Sequence, residues 1–219
     1  MNKVYGLKSD YSPIIDDASR LVVSYGYEEV GEENATWYEV YLYKKQISQL
    51  NIDAVKEAII GDINARTDET ILTGFVWNNK PVYLSKENQE NYLGALTAAT
   101  ITEGASLPIK FKLGEDENGE PVYHTFTTLN SLSQFYLAGV AYINQCLNAG
   151  WSEKDAIDWQ PYEEALEQIE AARQAAEEAA RQAAEEEAAR LAEEEAAKEA
   201  EEEENNSPSI EPSEEPSNE

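Results

Sequence analysis

Ile109-Lys110-Phe111-Lys112-Leu113, the connection Glu115–Pro121, and Val122-Tyr123-His124-Thr125-Phe126 together decide the fold class. The two flanking runs alternate apolar and polar residues with the two-residue period of a half-buried strand. Asn118-Gly119 between them is the dipeptide of a tight hairpin, whose central residues need positive φ. Leu129, Leu132, Tyr136, Val140, Ile143 and Leu147 then recur at helical spacing. Thr127 or Thr128 can cap that helix, and Gly150 is its expected stop. The unit is a hairpin feeding a helix.

The same unit recurs upstream. Gly74-Phe75-Val76-Trp77 and Val82-Tyr83-Leu84 flank Asn78-Asn79-Lys80-Pro81 and read as a short hairpin. Ser85, with Glu87 and Asn88, then opens a helix through Tyr92, Leu96 and Ala99 that ends near Gly104. Before it, Ile52, Val55, Ile59 and Ile63 mark one face of a helix running to about Arg66. Residues 48–160 are therefore expected to be an α+β core domain of alternating β-hairpins and helices.

Residues 1–47 read as an N-terminal aromatic hairpin and docking segment. Leu21–Val30 is the first strand, Gly31-Glu32-Glu33-Asn34 the turn, and Thr36–Tyr43 the return. Leu21, Val23, Tyr25 and Tyr27 fall on one face of the first strand. The second strand is apolar on both faces, with Trp37, Tyr41 and Tyr43 opposite Tyr38, Val40 and Leu42. A two-stranded hairpin is marginal alone in water, so these rings either pack on the core domain or meet another chain. Trp37, Tyr38, Tyr41 and Tyr43 are the candidate partner-binding residues, because aromatic area of this kind dominates binding energy.

Residues 161–204 are a different material. Pro161 suits the first turn of a helix, and Ala, Glu, Arg and Gln follow almost without interruption. Ala pairs at 171–172, 175–176, 179–180 and 183–184 step by four residues. A coiled-coil seam steps by 3.5, so a four-residue step walks around the helix. Arg173, Glu177, Arg181 and Glu185 form one i,i+4 rail, and Glu186, Arg190, Glu194, Lys198 and Glu202 another. Each pair adds about 0.2–0.5 kcal/mol. The expectation is an isolated acidic α-helix or weak coiled coil, followed by a disordered acidic tail at 205–219.

Charge and composition exclude more than they assign. The chain has 219 residues, 44 acidic and 16 basic, and a net charge of −28. Residues 163–219 hold 21 Asp/Glu and 4 Lys/Arg, a net of −17, which leaves −11 for the rest. Such a field repels phosphate backbones, so nucleic acid is not an expected partner. The acidic end could instead mimic DNA or bind a basic partner, although charge runs are more often simply solvated. A single Cys excludes a disulfide scaffold and a multi-cysteine zinc site. No signal peptide is read at the N-terminus, no run approaches the roughly 18–20 apolar residues of a membrane span, and no membrane partner is expected.

The catalytic inventory is thin. His124 lies in an alternating strand beside Tyr123 and Phe126, where a structural role is the simpler reading. Cys146 sits on a helix flank with Phe135 and Tyr142; a nucleophilic thiolate needs a base and an electropositive setting. Asp116, Asn118 and Glu120 resemble the opening of a calcium loop, but Pro121 replaces the sixth-position Gly and Thr127 the twelfth-position Glu. No phosphate cradle, nucleophile elbow or H-E-x-x-H occurs. No catalytic residue, cofactor or metal is expected, and the chain reads as a non-enzyme. A cell-wall hydrolase built on paired carboxylates is the enzymatic alternative.

Three motifs carry a resemblance. They are Ile63-Asn64-Ala65-Arg66-Thr67-Asp68 leading to Leu72-Thr73-Gly74-Phe75-Val76-Trp77, then Tyr83-Leu84-Ser85-Lys86-Glu87-Asn88-Gln89, then Tyr123-His124-Thr125-Phe126 ahead of a long helix. Residues 52–150 resemble an uncharacterised domain family of tailed bacteriophages and prophages, found in tail-fibre and tail-fibre-assembly-like proteins. The acidic Ala/Glu/Arg helix departs from that family's usual ending. The resemblance implies a non-enzymatic virion structural protein, tail-associated and located in the virion after synthesis in the host cytoplasm. Its partners would be other phage virion or tail-fibre proteins, with a homo-oligomer possible. The alternative it implies is a tail-fibre assembly chaperone acting in the host cytoplasm.

Overall fold

A computed structural model describes the backbone of residues 2–45 and 51–205. The element order is β1 (Asn2–Leu7), β2 (Ile14–Asp16), β3 (Arg20–Val30), β4 (Asn34–Tyr43), α1 (Ile52–Thr73), β5 (Phe75–Trp77), β6 (Lys80–Val82), α2 (Lys86–Ile101), β7 (Ile109–Glu115), β8 (Pro121–Phe126), α3 (Leu129–Asp155) and α4 (Gln160–Asn205). A single 3-10 turn, Lys8–Asp10, follows β1. The fold is mixed α and β, as the alternation of hairpins and helices predicted. The expected tail lies, beyond Asn205, outside the described residues.

The N-terminal hairpin is not two-stranded. β3 and β4 form the centre of an antiparallel sheet of order β1-β4-β3-β2. The residues before Leu21 supply both outer strands, with Val4 opposite Trp37 and Ile15 opposite Val22. A strand apolar on both faces needs neighbours on both edges and cover on both sides, and the short flanking strands meet part of that need. The described residues of the N-terminal segment and of the core domain lie together in one unit.

The face of β3 departs from simple alternation. Leu21, Val23 and Tyr25 are buried, but the register shifts between Tyr25 and Glu28. Gly26 sits at φ +65°, a left-handed conformation that a side chain disfavours. The extra residue of this bulge turns Tyr27 to the opposite side. There it packs on Tyr11, ring centroids 4.7 Å apart, and Tyr11 in turn meets Trp37 at 5.8 Å.

Helices α1, α2 and α3 each start on a side-chain cap. Asn51 accepts from the Ala54 amide at 3.0 Å, Ser85 from Asn88 at 3.2 Å, and Thr128 from Ser131 at 3.2 Å. These oxygens satisfy amides that the first turn leaves without partners. Two stops differ from expectation. α1 passes Arg66 and continues to Thr73, because no breaker intervenes before Gly74. α3 runs through Gly150 to Asp155. A Cβ on Gly150 would stand 2.5 Å from Thr67 Oγ1, so this glycine permits the close crossing of α1 and α3 rather than ending a helix.

α1 buries Val55, Ile59 and Ile63 and packs against β3 and β4. α3 runs antiparallel to α1: Glu153 meets Arg66, Gly150 meets Thr67, and the Tyr142 hydroxyl donates to the Thr70 carbonyl at 2.9 Å. The other side of α3 carries Phe135, which contacts Tyr92 at 4.9 Å, Phe126 at 4.9 Å and Trp77 at 5.7 Å. Around it gather Leu84, Leu113 and Leu132. The hairpins β5-β6 and β7-β8 are stitched by the Tyr83 amide on the Leu113 carbonyl at 2.7 Å. At the start of α4, Tyr162 is buried and its hydroxyl donates to the Ser24 carbonyl at 2.8 Å. From Glu167 onward the chain forms a second unit, and the described part of it is continuous helix.

Candidate functional site

The four aromatic residues singled out on β4 do not share one surface. Trp37 is buried; a Cβ on Gly6 would stand 2.7 Å from its ring, and its indole N–H donates to Glu39 Oε1 at 3.1 Å. Tyr38 stacks on Tyr25 at 5.6 Å and lies under the Arg66 guanidinium at 3.9 Å. Tyr41 is half-buried, with Arg20 over its ring at 4.3 Å and its hydroxyl donating to Glu39 Oε2 at 3.1 Å. Tyr43 is exposed, at 47%. Trp37 and Tyr38 thus serve intramolecular packing, and Tyr43 has the most open ring of the four.

Tyr38 belongs to a polar seam where the sheet meets α1 and α3. Asp62 Oδ2 accepts from the Tyr25 hydroxyl and from Arg66 Nε at 3.3 Å. Arg66 Nη2 donates to the Tyr25 hydroxyl at 3.2 Å and to Glu153 Oε1. One guanidinium therefore joins three elements and pairs with two carboxylates. Burial, then the bond to Asp62, raises the Tyr25 hydroxyl well above the ordinary tyrosine range. Such a group stays protonated and donates. The seam ties elements together, and its donors and acceptors satisfy one another.

His124 and Cys146 stand apart. His124, on β8, packs edge-on against Phe126 at 4.5 Å, and Lys80 Nζ lies 3.4 Å from its Nδ1. Burial and the neighbouring ammonium lower its pKa below 6.5, so the ring is neutral at pH 7. Cys146 is buried on α3 next to Tyr142. Burial and the bond to Cys146 push the Tyr142 hydroxyl up to about 12. No interaction among the described residues joins His124 to Cys146. Asp116 caps its own turn, its Oδ1 accepting from Asn118 N at 2.8 Å and Glu120 N at 3.0 Å. Among the described residues no group of three or more His, Cys, Asp or Glu could hold a metal ion, and no helix is long and apolar enough to cross a membrane.

A recess with mainly apolar lining lies between α2 and α3. It is a groove of about 290 Å³ whose apolar walls include Leu84, Leu93, Phe135, Val140 and Ile143. Lys86 and Glu90 mark its polar rim. Leu93 remains 47% exposed in a chain otherwise rich in surface charge. Tyr92 also lines the groove, and its buried hydroxyl has no hydrogen-bond partner among the described residues. Buried hydroxyls nearly always find one. The groove can accept an apolar side chain.

In the sequence Tyr92, Val140 and Ile143 read only as helix-face residues. Leu93 carried no signal, because one leucine outside an apolar stripe is ordinary on a protein surface. The groove arises where two helices are brought side by side, which neither periodicity contains.

Residues 54–206 match the family model described as a domain of unknown function, DUF4376. The match begins within α1 and spans the groove, both hairpins and α4, leaving the four-stranded sheet outside it. No curated protein and no solved structure matches the chain.

Proposed function

Since this chain belongs to the DUF4376 family, we propose from its own surface that it is a non-enzymatic structural protein of a tailed-bacteriophage virion, tail-associated, that binds other virion proteins. The observation that carries this reading is the α2–α3 groove: an apolar recess with an exposed leucine at its wall, in a chain of net charge −28. A groove of this kind suits an apolar anchor from another protein, since desolvated pockets that take a large side chain carry most of the energy of an interface. The motif resemblance over residues 52–150 supplies the phage context. The motif starting at Tyr83 spans Leu84, Lys86 and Gln89, which line the groove.

The test is quantitative mass spectrometry of density-purified particles beside the infected-cell lysate, repeated with Leu93→Glu. A fixed ratio to the major capsid protein, lost in the variant while the purified variant keeps its fold, supports a virion component that docks through the groove. Presence in the lysate alone, together with a fibre protein, would replace this reading with the assembly chaperone.

A further inference from the structure

The two edges of the four-stranded sheet are built differently. β2 is three residues long, follows Pro13, and carries Asp16 in an ion pair with Lys44. Short length, proline and charge are the usual ways of blunting an edge. β1 has six residues, no proline, no bulge and no acidic residue.

Register parity shows what β1 offers. The Lys8 amide donates to the Glu33 carbonyl, which makes Lys8 and Glu33 a hydrogen-bonded pair. Along the same ladder Gly6–Ala35 and Val4–Trp37 are then bonded pairs. On the other side of β4, the Lys44 amide on the Ser19 carbonyl gives the complementary parity, with Leu42, Val40 and Tyr38 bonded to β3. Lys3, Tyr5 and Leu7 therefore aim their backbone N–H and C=O groups away from β4, at the open edge. Their side chains share one face, where Tyr5 is 64% and Leu7 47% exposed, with Val30 at 40% beside Leu7 in the Asn34 row.

We propose that this edge pairs with β1 of a second copy of the chain, antiparallel about a two-fold axis at Tyr5. In that register Tyr5 faces Tyr5 of the second copy, and Lys3 faces Leu7. All three are outward-directed positions, so each pair exchanges two backbone hydrogen bonds. The register is self-complementary in charge as well, because no like charges oppose each other. Lys3, the usual kind of edge blocker, has its ammonium 5.6 Å from the Tyr38 ring centroid, over the sheet face. An acidic chain repels its own copies over most of its surface; β1, bearing Lys3 and no carboxylate, is a place where two copies can approach. Pairing would join two four-stranded sheets into one and cover Tyr5 and Leu7.

Disulfide trapping and sedimentation test this on the full chain, with Cys146→Ala as background. Tyr5→Cys places two thiols across the two-fold axis, where the Cα separation of about 5.5 Å suits a disulfide. It should give a covalent dimer under mild oxidation. Leu7→Cys should not, because its register partner is Lys3, whereas a mixture of Leu7→Cys and Lys3→Cys chains should cross-link. In sedimentation, dimerisation should strengthen as salt screens the acidic repulsion. Tyr5→Glu should raise the dimer dissociation constant about tenfold or more, since like charges then oppose at the axis. A chain that stays monomeric at every accessible concentration, a dimer indifferent to Tyr5→Glu, or cross-linking of Leu7→Cys with itself would each overturn the proposal. Capture of another virion protein by β1 without self-association would overturn it too, by giving the edge a different occupant.

Discussion

The polar seam around Arg66 and the apolar core around Phe135 do the same job in the same unit by opposite means. At the seam, one guanidinium joins Asp62, Glu153, Tyr25 and Tyr38 across a sheet and two helices. Around Phe135, aromatic and aliphatic side chains from α2, α3 and the two hairpins fill space without charge. The core derives its stability from area removed from water, which is insensitive to pH and tolerant of which apolar group supplies it. The seam depends on partners in fixed places, and removing one leaves the others desolvated and unpaired. The two regions divide the labour. Non-directional burial holds the hairpins and helices together, and directional bonds set how the sheet meets α1 and α3.

The largest effect should come from the core. Phe135→Ala should lower stability by about 3–5 kcal/mol, read as a shift in urea midpoint, because four neighbouring rings lose their common contact. Arg66→Met should cost about 2–3 kcal/mol, less than full burial would predict, since the seam is partly open to water. If Arg66→Met proves neutral, the contrast between the two regions fails, and the seam is only a decorated apolar contact. Gly150→Ala should cost about 1–3 kcal/mol by overpacking, because the new methyl must displace Thr67 where α1 and α3 cross.

Two pH measurements sharpen the contrast further. Tyr25 has a folded pKa raised above its ordinary value of 10.0. Its contribution is therefore complete below pH 10 and is lost as the pH rises beyond it. The urea midpoint should fall over that alkaline range in the wild type and fall less in Tyr25→Phe. His124, with a folded pKa below 6.5, contributes fully above that value and loses its contribution as the pH falls below it. As the only histidine in the chain it gives a single NMR titration. Its midpoint should lie below 6.5, and Lys80→Met should move it up. An unmoved midpoint would leave burial as the sole cause.

Much of the fold was legible because local chemistry announced it. Asn118-Gly119 sits in its hairpin turn with Gly119 at φ +80°, and Asn78 and Asn79 both adopt positive φ between β5 and β6. Ser85 and Thr128 cap the helices they were expected to open. The outer strands β1 and β2 were not legible: β1 pairs with β4, which is not its neighbour in the chain, and β2 lacks an Asn-Asn or Asn-Gly turn of the kind that marks the equally short β5 and β6. Simple alternation puts Tyr27 on the face of Tyr25, and one bulge reverses it. The α2–α3 groove had no sequence signature: Tyr92, Val140 and Ile143 belong to apolar stripes that periodicity shows, but the meeting of two such stripes with Leu93 at the wall is a product of packing.

Local chemistry is enough to set α4. Alanine-rich composition and i,i+4 charge pairs act within a few residues, so Arg181–Glu185 and Lys198–Glu194 form wherever that helix forms. Local chemistry likewise sets the hairpin turns and the caps, whose partners lie two to four residues away. Tertiary structure alone decided that Gly150 is a crossing point and not a helix end, that Trp37 lies over Gly6, and that Arg66 bonds Glu153. Those outcomes depend on groups far apart in the chain meeting at a distance of a few ångströms. A local pattern can state that an apolar face exists. Which face covers it is settled only when every other face competes for the same place.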